Sequence, residues 1–134
     1  MYPLPTNVAR GTFVSDNVEL LRAQGHEVKV VNPLPRMLKY QESRRSTLTG
    51  VAKAPVKFEH GEVEVLAPRF WGLPGHPYPS ITIGSMKRMT KKVSNWLNDW
   101  QPQIIICHTI WPAAELALSL IHISEPTRPR LISY

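Results

Sequence analysis

The chain has 134 residues, a formal charge of +6, 43% hydrophobic residues and 19% charged ones. That balance excludes wholesale disorder and sets one ordinary domain as the upper bound. No run reaches the roughly eighteen continuous apolar residues of a membrane span, and the opening lacks the pattern of a signal peptide.

In chain order, "YPLPTNVARG" is a turn-rich opening. "TFVSDNVELLRAQG" then places Val14, Val18 and Leu21 at helical spacing. Ser15 or Asp16 is available to cap the first turn, and Gly25 sits where a helix ends. "HEVKVVNP" is a short β-branched run closed by Pro33, a predicted strand. Helix, glycine and strand in that order make half of a βαβ unit. "LPRMLKYQESRRSTLTGVAKAP" reads as a long basic loop with one helical turn. "VKFEHGEVEVLAPRF" holds two alternating runs around a His60-Gly61 turn, with Val63 to Ala67 the better strand.

"WGLPGHPYPS" is loop. The following "GSMKRMTKKVSNWLNDW" aligns Met86, Met89, Val93, Trp96, Leu97 and Trp100 on one helix face, expected to be core. Lys87, Arg88, Lys91 and Lys92 point away from it. "QPQIIICHT" has the continuous apolar pattern of a strand buried on both faces of a parallel sheet. "TIWPAAELAL" reads as a new helix with Pro112 at its first position. Alternating helices and strands predict an α/β fold with a doubly wound parallel sheet.

Ligands of such sheets sit beyond the carboxyl ends of the strands. Arg10-Gly11-Thr12-Phe13 lies at the entry of the first helix. There a glycine permits close backbone approach and the helix terminus attracts phosphate oxygens; a simple turn would need the same glycine. Cys107-His108-Thr109 follows the buried strand, where a histidine either contacts a ligand oxygen or bonds to nearby backbone. The single cysteine, Cys107, gives no disulfide framework and points to a reducing compartment.

The other histidines are too scattered for a zinc site. There is no Walker loop, full G-x-G-x-x-G fingerprint or serine nucleophile elbow. The basic helix face lacks interleaved exposed aromatics, so nucleic acid is not an expected partner.

"YPLPTNVARGTFVSDNVELLRAQGHEVKVVNPLP" resembles the start of the N-terminal domain of family 4 glycosyltransferases. Their pattern is a Y/F-P-x-P loop, R-G-x-F-V, and a helix ending in R-G-H-E-V. "PQIIICHTIWPAAELA" is similar to the family's D-V-I-H-A-H segment. His108 stands at its second histidine and Ile106 replaces the first. The resemblance spans Tyr2 to about Ala117.

It implies the N-terminal, acceptor-side lobe of a GT-B fold, a partial Rossmann-like doubly wound sheet. It also implies retaining transfer of a sugar from a nucleotide-sugar donor to a hydroxyl acceptor, glycan or lipid-linked. No metal or other cofactor is implied. The family's roles carry over to Gly11, Thr12 and Arg10 as substrate-binding residues at the donor diphosphate, and to His108 beside the reacting sugar. They also imply a cytoplasmic enzyme whose basic residues (Arg36, Lys39, Arg44 and Arg45, beside Met37, Leu38 and Tyr40) can meet lipid at the inner face of the membrane. A solvated surface loop is the simpler explanation of those residues. A non-catalytic α/β nucleotide-binding or regulatory module is the alternative function.

Two departures from the family frame these expectations. Its first strand, which precedes the Y-P-x-P loop, is expected to be missing here, and so is the second lobe with its E-x7-E motif. Leu118 to Arg128 and Ile132 to Tyr134 match the translation of a transposase sequencing adaptor on either side of an index-length gap. Residues 1–117 are therefore expected to be a partial, by itself inactive domain, and 118–134 an adaptor-derived tail.

Overall fold

The computed structural model describes residues 1–43, 48–71, 79–123 and 130–133. The chain divides into two units, Met1–Arg69 and Phe70–Tyr134, each described by itself.

In the first unit, α1 runs over Thr12–Ala23 and buries Ser15 and Val18. Gly11 starts it in the left-handed region (φ 65°), with no side chain capping the end. Neither Ser15 nor Asp16 is the expected cap, because the helix begins before them; the Ser15 hydroxyl instead donates to the Thr12 carbonyl at 2.8 Å. The far end matches its signal. Gly25 (φ 90°) donates to the Arg22 carbonyl, and His26 donates to that of Leu21, the paired bonds of a Schellman cap.

The expected strand at "HEVKVV" contracts to β1, Val30–Val31. After β2, Leu34–Pro35, the basic segment forms the expected single turn, α2, at Lys39–Glu42. Arg36 and Leu38 are exposed, while Met37 packs on a core cluster of Leu4, Leu34, Val51, Ala54 and Ala67. Arg44 and Arg45 lie outside the described residues.

Strands β3, Lys57–His60, and β4, Val63–Leu66, form the expected hairpin, closed by the His60↔Val63 pair. Gly61 and Glu62 both take positive φ (55° and 64°), the geometry of a two-residue turn whose twist suits its strands. β4 is the more buried strand and pairs parallel with β1 in the order β1-β4-β3. Its Val63 and Val65 pack with Tyr2 and Val18. Complete burial of a valine contributes about 1.5–3 kcal/mol, which ties the chain's opening, α1 and the hairpin into one core.

β5, Arg69–Phe70, spans the division between the units. In the second unit, α3 extends over Pro79–Leu97 and starts earlier than its heptad-like stripe suggested. Ser85, Met86, Met89, Thr90 and Val93 are buried. Lys87, Arg88, Lys91 and Lys92 are exposed, as the stripe required. Trp96 and Trp100 are only half-buried, and Trp100 lies beyond the last helical residue, so neither is full core.

Strand β6, Ile104–Cys107, pairs in parallel with β7, Arg130–Ser133. It is not buried on both faces as expected. Ile104 is 51% exposed and only Cys107 is buried. Its sheet has two strands, so the cover that a wide parallel sheet gives a central strand is not present among the described residues.

Pro112 falls where a first helical residue was expected. Within Ile110–Ala114 only Trp111, just before it, is extended (φ −116°, ψ 133°), and helical backbone runs on from Pro112. α4 follows at Glu115–Ile123 and carries the helix past Ala117. Overall the chain is mixed α/β, with small parallel and mixed sheets.

Candidate functional site

Two places hold the residues that the sequence singles out, one in each unit. In the first unit the "YPLP" segment is core rather than a loose lead-in: Tyr2, Pro3 and Leu4 are buried. Leu4 and Asn7 exchange two backbone hydrogen bonds, at 3.1 and 2.9 Å. Tyr2 meets His60 edge-on with ring centroids 5.5 Å apart. This anchored turn delivers Arg10, Gly11 and Thr12 together to the start of α1.

The space at Gly11 is defined by backbone. A Cβ there would lie 2.6 Å from the Met1 carbonyl oxygen and 3.0 Å from the Tyr2 nitrogen. The missing side chain therefore serves the fold directly, both for its positive φ and for the approach of residues 1 and 2. Thr12 is exposed at the head of the helix.

Arg10 is different. Its Nε and Nη1 are buried and donate to nothing among the described residues. Burial, together with the nearby charge of Arg69, pulls its pKa below the ordinary guanidinium value. Arg69 is shifted the same way by burial and by Arg36, with Glu42 opposing. Arg69 donates from Nη2 to the Ala54 carbonyl at 2.7 Å. A desolvated cation without an acceptor is costly, and an anion arriving there would offset that cost.

Arg69 was not among the expected site residues. The available signal was its place just after a strand's carboxyl end, the same signal that singled out His108. What makes it matter, its proximity to Arg10, is a long-range feature.

In the second unit, His108 follows β6 and is half-buried. Burial lowers its pKa from 6.5, so at neutral pH the ring is uncharged, with one nitrogen to donate and one to accept. Beside it in sequence, the Cys107 thiol is buried, raised in pKa by burial, and 3.8 Å from the Ala113 carbonyl. The indole Nε1 of Trp111 is buried without an acceptor among the described residues, and its ring meets Phe70 edge-on at 6.3 Å.

Among the described residues no three His, Cys, Asp or Glu side chains gather to hold a metal ion, and no helix is long and apolar enough to cross a membrane. Compared with protein-family models, curated proteins and solved structures, the chain matches none.

Proposed function

We propose that the chain is the N-terminal, acceptor-side lobe of a family 4 glycosyltransferase with a Rossmann-like GT-B fold. Such an enzyme transfers a sugar with retention from a nucleotide-sugar to a hydroxyl acceptor, glycan or lipid-linked. The observation that carries the reading is Arg10, with two buried nitrogens lacking an acceptor among the described residues at the entry of α1, in the R-G-x-F-V segment. The parallel β1–β4 pair and the mixed α/β composition are compatible with it.

In this reading Arg10 and the backbone at Gly11 and Thr12 face the donor diphosphate. As the sugar–phosphate bond breaks, negative charge builds on the leaving diphosphate, and a preset cation and amides stabilise it without reorganising. His108, neutral at working pH, donates a hydrogen bond to the sugar and helps fix its position. No metal is needed for these steps. The lobe by itself is inactive, because most donor contacts come from the second lobe. The enzyme works in the cytoplasm, and the exposed Leu38 can meet lipid at the inner face of the membrane.

A second reading, a non-catalytic nucleotide-binding or regulatory module, draws on the same arginine, since phosphate binding requires no transfer chemistry. The two part on His108. In a chain completed with its second lobe, His108→Ala should lower turnover by about a hundredfold or more and leave the thermal midpoint near wild type. Wild-type turnover in that variant removes His108 from the chemistry. Absence of transfer from any of UDP-, GDP- or ADP-sugars by the completed chain refutes the enzyme reading.

A further inference from the structure

We infer that Arg69 joins Arg10 in an anion site of the first unit that takes a phosphate group, with Arg36 adding to its field. This rests on the phosphate-binding part of the proposed function and adds residues that no motif assigns.

The three arginines come from separate stretches of chain: Arg10 before α1, Arg36 after β2 and Arg69 in β5. They are nevertheless close enough that Arg69 acts on Arg10 and Arg36 acts on Arg69. Grouping cations in a partly buried place costs free energy, and folded chains ordinarily relieve it with carboxylates. The carboxylate felt by Arg69 is Glu42. Its two oxygens already accept from the Gly50 and Ala52 backbone amides, which ties them to the loop.

Arg10 thus keeps two buried donors that nothing described accepts. Arg69 has its Nη2 fixed on the Ala54 carbonyl, which orients the guanidinium plane. Guanidinium groups suit phosphate in particular, because their planar donors match its oxygens and stay charged at any working pH. By contrast Arg22, on α1, donates to the Gly61 carbonyl at 2.6 Å and to Glu62 at 3.0 Å.

The test is calorimetric titration of the 134-residue chain with inorganic pyrophosphate at fixed ionic strength. Arg69→Gln and Arg10→Gln should each weaken binding by about tenfold or more, while Arg22→Gln, which removes the same charge, should leave it within about twofold. Equal losses in all three, or none in Arg69→Gln, overturn the site. Should a variant fold poorly, side-chain NMR of the wild-type protein decides the question. Pyrophosphate should shift the Nε–H signals of Arg10 and Arg69 and spare that of Arg22; unmoved signals overturn the site.

Two further ligands then separate this site from the enzyme reading. UDP binding tighter than glycerol 3-phosphate assigns the site to a nucleotide diphosphate. The reverse order keeps the arginine site, assigns it to a headgroup phosphate and counts against the sugar-nucleotide reading.

Discussion

Replacing Gly11 with alanine separates a glycine kept for the fold from one kept for a ligand. Its φ of 65° lies in the left-handed region, which costs an L-residue about 1–2 kcal/mol. The added Cβ would also fall 2.6 Å from the Met1 carbonyl oxygen, too close for any real contact. Backbone must shift to admit it, an overpacking cost of about 1–3 kcal/mol. Together Gly11→Ala should destabilise the first unit by about 2–5 kcal/mol. Gly25 supplies the control: its φ is 90° but a Cβ there meets nothing within 4 Å, so alanine should cost only the conformational part, about 1–2 kcal/mol. All four tryptophans, Trp71, Trp96, Trp100 and Trp111, belong to the second unit and would not report these changes. Amide hydrogen exchange of α1 is the suitable assay. Protection in Gly11→Ala equal to wild type, or a larger loss in Gly25→Ala, would refute the close-approach reasoning.

Gly84 tests the opposite sign. It lies inside α3 with open space around a Cβ, so Gly84→Ala should stabilise the second unit by about 0.5–1 kcal/mol, seen as a later tryptophan-fluorescence midpoint in urea. His108 should give stability a pH dependence. Its folded pKa is lowered from 6.5, so the unfolded chain binds the proton more readily; the stability is full above that value and falls as pH drops below it. Between about pH 7.5 and about pH 5.5, wild type should therefore lose more stability than His108→Asn, and equal losses would assign the titration elsewhere. Cys107 is 3% exposed and its thiol is raised in pKa by burial. It should react with an aromatic disulfide at least about tenfold more slowly in the folded chain than in urea, and matching rates would show that the site opens freely.

What the sequence disclosed of this fold was local. Val14 and Val18 at helical spacing, Gly25 past the helix end, and the His60-Gly61 turn each act within a few residues, and each predicted element formed. The errors fall where a residue's state depends on distant chain. "QIIIC" has the composition of a central strand, yet burial on two faces requires neighbours on both sides, and composition cannot supply them. Pro112, by contrast, belongs with the local signals: Trp111 is extended and the backbone turns helical at Pro112 on its way into α4. The site follows the same division. Arg10, Gly11 and Thr12 were visible because they are consecutive. Arg69 was not, and Arg36 stood out only as a surface cation, because folding alone brings Arg69's charge to Arg10 and Arg36's to Arg69.

That division moves the functional weight of the α1 entry from the glycine to the arginines. Gly11 is accounted for within the chain: a positive φ and the backbone of Met1 and Tyr2 demand it whether or not anything binds. Its presence therefore says little about a ligand, although glycine is the residue a motif search finds first. Arg10 is accounted for by none of the described residues of the first unit. An arginine serving only the fold would be paired, as Arg22 is with Glu62 and the Gly61 carbonyl, or left solvated. Arg10 instead holds two nitrogens out of water with no acceptor among the described residues and a second guanidinium nearby, an arrangement that costs stability until an anion enters. Pyrophosphate should accordingly raise the stability of the first unit in wild type much more than in Arg10→Gln. An equal rise in both, measured by α1 amide exchange, would mean that the phosphate binds elsewhere and that the cost at Arg10 serves another purpose.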